Sequence, residues 1–145
     1  MAFHCERSGE HAMKRPMRGW FLLVVGLLAG CGEDDRPATW TYVHAAIVRP
    51  NCTTSACHSN ISAAAGLRFE DRETAYLSLT GQVCNGPEVP GEPPRNLVFP
   101  GDPERSKLMY LLRGEEVRNM PPDTPLPDVD IELIERWILQ GAQCD

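Results

Sequence analysis

Trp40, Val43, Ala46 and Ile47 recur at the three- and four-residue spacing of one helical face, which predicts a helix beginning behind Thr39 and stopped by Pro50. The Thr39 hydroxyl can accept from a free first-turn amide. A second apolar face is carried by Ala75, Tyr76 and Leu79 in a segment from Asp71 to Leu79, with Asp71 as its cap, and Gly66-Leu67-Arg68-Phe69 before it reads as an extended or irregular connector. In Pro100-Gly101-Asp102-Pro103-Glu104, Asp102 can cap and Pro103 suits the first helical position. The stripe Leu108, Leu111 and Leu112 follows, and Gly114 is placed to end it. A last helix starts near Asp128, shows Ile131, Ile134, Trp137 and Ile138 on one side, and ends at Gly141. Asp130 and Glu132 sit favourably near its positive start. Four short helices, long connectors and no alternation of the strand kind predict an all-α domain over residues 39–145.

Two stretches resist any regular element. Residues 81–95 contain Pro87, Pro90, Pro93 and Pro94 and read as a long surface loop. Met120-Pro121-Pro122 opens a second loop that runs to Pro127.

The amino-terminal pattern is of another kind. Lys14, Arg15 and Arg18 precede an uncharged run from Trp20 through Ala29, the arrangement of a signal peptide and too short to span a bilayer. The run closes in Leu28-Ala29-Gly30-Cys31, which resembles the lipobox of bacterial lipoproteins. That resemblance implies cleavage before Cys31, diacylglycerol on its sulfur and acylation of the new amino terminus, so that residues 1–30 are a lipoprotein signal peptide and residues 31–38 a tether. Several acyl chains on one residue give lasting attachment without spanning. Gly32 after the lipidated cysteine does not suggest retention at the inner membrane, which favours the outer one. Met1 to Ala12 is unusual as a signal-peptide leader, and Met13-Lys14-Arg15 is the conventional beginning, so the true start is expected at Met13.

Export changes how the remaining cysteines are read, because thiols outside the cytoplasm become disulfides, bind metal or carry haem. Cys52-Thr53-Thr54-Ser55-Ala56-Cys57-His58 offers two thiols and an adjoining imidazole. Each thiol can add across a porphyrin vinyl group to form a thioether, and His58 can then ligate the iron from one face. The usual motif has two residues between the cysteines; here there are four, small enough to bulge. If haem takes Cys52 and Cys57, then Cys84 and Cys144 form a disulfide closing a loop of about sixty residues. The competing readings are a staple between Cys52 and Cys57 without haem, and a zinc site from Cys52, Cys57, His58 and Cys84.

Composition narrows the function classes. Of 14 basic and 20 acidic residues, four and two lie in residues 1–30, which leaves 10 and 18 and a net charge of about −8. Such a surface repels phosphate backbones and argues against nucleic-acid binding. No Ser-His-Asp set or carboxylate pair stands at a recognisable spacing, which argues against an enzyme.

The order Asn51-Cys52, Cys57-His58, Gly66-Leu67, Pro100-Gly101-Asp102-Pro103, Ser106, Leu108, Met120-Pro121, Trp137-Ile138 and Gly141-Ala142 resembles the small c-type cytochrome domains of exported bacterial proteins, over about residues 39–144. The resemblance implies a cytochrome c fold whose first and last helices cross, one covalent haem c on Cys52 and Cys57, His58 as proximal ligand and Met120 as distal ligand. A thioether sulfur is a soft ligand that suits ferrous iron, and Pro121 and Pro122 stiffen its loop. His44 is the alternative axial ligand, while Met109 belongs to an apolar helix and is expected in the core. The function so implied is one-electron transfer in the cell envelope with a redox partner protein. The alternative is a haem-free, disulfide-stapled envelope lipoprotein acting as a binding or structural module.

Overall fold

The computed structural model describes residues 34–86, 97–115 and 118–145. The signal peptide, Cys31 and most of the proline-rich loop lie outside the described residues. Four helices and two single 3-10 turns make up the regular structure, with no strand among the described residues. No helix among them is long and apolar enough to cross a membrane.

Helix α1 spans residues 40–52. It begins as an α-helix at Trp40–Val43, widens into a π stretch at His44–Val48 and tightens again at Arg49–Cys52. The Thr39 side chain accepts from the Tyr42 amide, as its sequence position implies. Pro50 does not stop this helix. A proline ring clashes with the carbonyl four residues back and lacks the amide that would bond to it, and a π turn relieves both demands by lengthening the register. Asn51 Nδ2 then donates to the Ile47 carbonyl at 2.7 Å and Thr53 Oγ1 to that of Arg49 at 2.7 Å. The buried face consists of Trp40, Val43, His44, Ile47 and Val48, with Ala46 exposed.

Helix α2, Arg72–Thr80, is capped by Asp71, whose carboxylate accepts from the Thr74 amide and hydroxyl at 2.9 Å each. Those bonds hold the Asp71 carboxyl below the usual carboxylate range. Gly81, at φ 74°, closes the helix.

The third helix starts later than Asp102 suggests. Asp102 caps a single 3-10 turn, Pro103–Arg105, and the chain is extended again at Ser106 before α3, Lys107–Arg113. Ser106 is fully buried. Its hydroxyl accepts from the Phe99 amide at 2.9 Å and donates to the Asp102 carbonyl at 2.8 Å, bonds that hold the residue out of helical register. Gly114 ends α3 at φ 69°.

Helix α4, Asp128–Leu139, buries Ile131, Leu133, Ile134, Trp137 and Ile138. It packs on the start of α1 through the stacked rings of Trp40 and Trp137, whose centroids lie 4.9 Å apart. Tyr76 meets both rings edge-on. These aromatics bring α1, α2 and α4 into one core, and Met109 joins it at 1 % exposure.

Residues 34–38, expected as a tether, are bound to the domain. Arg36 pairs with Asp130 at 2.6 Å and with Asp34 at 2.9 Å, and Arg136 donates to the Asp34 carbonyl at 2.6 Å. Cys84 and Cys144 are disulfide-bonded with Cα atoms 5.3 Å apart.

Candidate functional site

The Cys52 to His58 loop is positioned by the end of α1. Cys52 is the last residue of that helix, so its carbonyl has no intrahelical partner. The His58 amide donates to it at 3.1 Å, and the Cys57 amide donates to the Thr54 carbonyl at 2.8 Å. These two bonds fold the four intervening residues into a bulge and bring Cys57 and His58 back beside Cys52. Both thiols are free and half-buried. Burial, with a smaller contribution from Cys57, pushes the Cys52 thiol up to about 11, so it is protonated at neutral pH. The Thr54 hydroxyl donates to Cys57 Sγ at 2.9 Å.

His58 is oriented by two contacts. Its Nδ1 donates to the Ala64 carbonyl at 3.0 Å, which places the proton there and leaves the Nε2 lone pair for a metal. Its ring also lies against Phe69, with centroids 4.7 Å apart. The Ala64 carbonyl is aimed by an unusual stretch of backbone: Ala63 and Ala65, on either side, both have positive φ, at 45° and 54°. An L-residue in this region costs roughly 1–2 kcal/mol, against about 0.4–1 kcal/mol of extra unfolded-state entropy for glycine. Ala65, which is exposed, is the cleaner place to test this. Ala65→Gly is therefore expected to raise unfolding stability by about 0.5–1 kcal/mol, read as a higher urea midpoint at unchanged slope.

Met120 is carried by the loop between α3 and α4, and its amide donates to the Leu111 carbonyl at 2.8 Å. It is half-buried. The described hydrogen bonds gather Cys52, Cys57 and His58 into one loop; none of them, and none of the described ring contacts, joins Met120 to His58. His44 is committed elsewhere: it is 5 % exposed and its Nε2 donates to the Phe69 carbonyl at 2.9 Å. Cys84 is consumed by Cys144, which takes it from the zinc set, and no group of three or more metal-binding side chains occurs among the described residues. A cleft of about 350 Å³ opens between α3 and α4, lined by Leu112, Asn119, Leu126, Asp128, Ile131 and Glu132 among others; none of the expected site residues lines it.

Two contributors were not singled out from the sequence, Ala64 and Phe69. The alternation of Leu67, Arg68 and Phe69, with Phe69 buried and Arg68 exposed, was the available sign that this connector turns one side inward. Nothing in Ala63-Ala64-Ala65 announces its left-handed backbone. Compared with family models, curated proteins and solved structures, the chain finds no match, and its function is therefore argued from these residues.

Proposed function

We propose that this chain is a lipid-anchored c-type cytochrome of the bacterial envelope, carrying one covalent haem c and transferring single electrons. The observation that carries the reading is the Cys52 to His58 loop, where both thiols are free while the other cysteine pair is bonded, and where His58 is held through Nδ1. That donor set fits haem attachment by its chemistry: two thiols able to become thioethers and one imidazole with a free basic nitrogen. The packing of α1 on α4 through Trp40 and Trp137 is what the resemblance implies for the first and last helices, and it also supports the reading.

When bound, the haem supplies the one-electron couple of its iron. The chain's residues would hold and orient it: Cys52 and Cys57 would become thioethers, and His58, through Nε2, and Met120 would supply the iron ligands. The Ala64 carbonyl fixes the imidazole tautomer and raises its basicity as a ligand. If His58 and Met120 both ligated the iron, no open position would be left for a substrate, which favours an electron carrier over an enzyme. Its acidic surface suits a redox partner that presents a basic patch.

Expression with the haem-attachment machinery, followed by denaturing electrophoresis with haem staining and a pyridine haemochrome spectrum, is expected to show one covalent haem per chain. The stain should disappear in a Cys52→Ala/Cys57→Ala variant. A wild-type chain without covalent haem overturns the reading in favour of the haem-free, disulfide-stapled lipoprotein.

A further inference from the structure

A buried histidine on an otherwise apolar helical face needs a reason, because its ring nitrogens lose water on burial. His44 is such a residue, lying at the start of the π stretch of α1 between Trp40 and the chain that follows His58. Its Nε2 donates to the carbonyl of Phe69 at 2.9 Å. Phe69 sits in a segment without helix or ladder, so its backbone groups must find individual partners. They find the two histidines: the Phe69 carbonyl accepts from His44, and the Phe69 amide donates to the His58 carbonyl at 2.9 Å. Both backbone groups of Phe69 are thus fixed, and its ring, 6 % exposed in all, is set against the His58 imidazole at 4.7 Å and an interplanar angle of 43°.

We propose that His44 is a positioning residue for His58, acting through Phe69. The Ala64 bond fixes one point of the imidazole but leaves rotation about it, and the Phe69 ring limits that rotation. His44 keeps the Phe69 ring where it can do so. The rotational setting of His58 is thereby determined by a residue on α1, fourteen positions earlier in the chain. The functional meaning of that setting rests on the haem reading, since it is the orientation of an axial imidazole that His44 would control. The contact chain itself belongs to the protein alone and can be tested without haem.

Two substitutions separate the hydrogen bond from mere filling of space. His44→Gln keeps an amide donor within reach of the Phe69 carbonyl, whereas His44→Leu keeps bulk and removes the donor. Without haem, the His58 ring protons of the full chain should carry a ring-current shift from Phe69 in NMR spectra. That shift is expected to be retained in His44→Gln and lost in His44→Leu. In the holoprotein, the ferric low-temperature EPR spectrum is expected to keep its g values in His44→Gln, and to move or broaden in His44→Leu at unchanged covalent haem content. Phe69→Leu, which leaves the backbone bond to His44 in place, should reproduce the His44→Leu spectra and serves if His44→Leu does not fold. Unchanged His58 resonances in His44→Leu, or in Phe69→Leu, overturn the proposal. A His44→Gln protein that shifts as His44→Leu does overturns the role of the hydrogen bond. Absence of covalent haem in the wild type removes the haem reading and leaves the NMR comparison to decide the positioning role by itself.

Discussion

Replacing Cys84 and Cys144 together by alanine is expected to lower stability by about 4 kcal/mol, the chain-entropy value for a sixty-residue loop. Small domains have only about 5–15 kcal/mol in total, so this variant should lose a large part of its reserve. The native arrangement around Cys144 has other supports. Tyr76 donates from its hydroxyl to the Ala142 carbonyl at 3.0 Å, Trp137 Nε1 donates to Gln143 at 2.9 Å, and the Thr41 amide donates to the Asp145 carboxylate at 2.8 Å. Arg72 also donates to the Asp145 backbone oxygen. The folded state should therefore survive the substitution with its helices intact, and the loss should come from greater freedom of the unfolded chain. Urea unfolding followed by tryptophan fluorescence, with circular dichroism of the native state, checks both halves. A loss under about 1 kcal/mol would show that the bond does not constrain the unfolded ensemble.

The second large effect concerns Met120. If the chain carries haem as proposed, Met120→Ala is expected to abolish the near-infrared sulfur-to-iron band of the ferric protein completely, because the other methionine among the described residues, Met109, is core. Met109 is 1 % exposed in α3 and part of the core, and His44 is bound to Phe69. Met120 alone combines a half-buried side chain with a loop stiffened by Pro121 and Pro122 and tied through its own amide to Leu111. Loss of a soft axial ligand should also lower the reduction potential, since the thioether favours the ferrous state. A Met120→Ala protein that keeps the band at full intensity removes Met120 from the metal and reopens the distal position to a substrate.

Much of the helical framework could be read locally. Thr39 and Asp71 cap where their side chains were expected to, Gly114 ends α3, and the Ile131, Ile134, Trp137, Ile138 face of α4 is buried as its spacing implied. These features depend on groups within about four residues of one another, so the local sequence contains both partners. With Cys52 and Cys57 assigned to one site, Cys84 and Cys144 are left to pair, and the structure bonds them.

The departures have the opposite character. Pro50 stays inside α1 because a π turn precedes it, and His44, at the start of that turn, bonds to Phe69, twenty-five residues away and outside any local pattern. Ser106 delays α3 because its hydroxyl bonds to Phe99 and Asp102. Arg36 and Arg136 bind residues 34–38 to α4 across a separation of about a hundred residues.

By itself the sequence determined the all-α class, the position of each helix within a few residues, and the placing of two thiols and an imidazole in one short segment, since these follow from spacing and residue chemistry along the chain. Only the tertiary structure decided which nitrogen of His58 is left free, that Phe69 lies on its ring, and that His44 is committed to Phe69. A carbonyl such as that of Ala64 becomes a specific partner only when the fold aims it, and a buried imidazole takes whichever acceptor the packing brings within 3 Å.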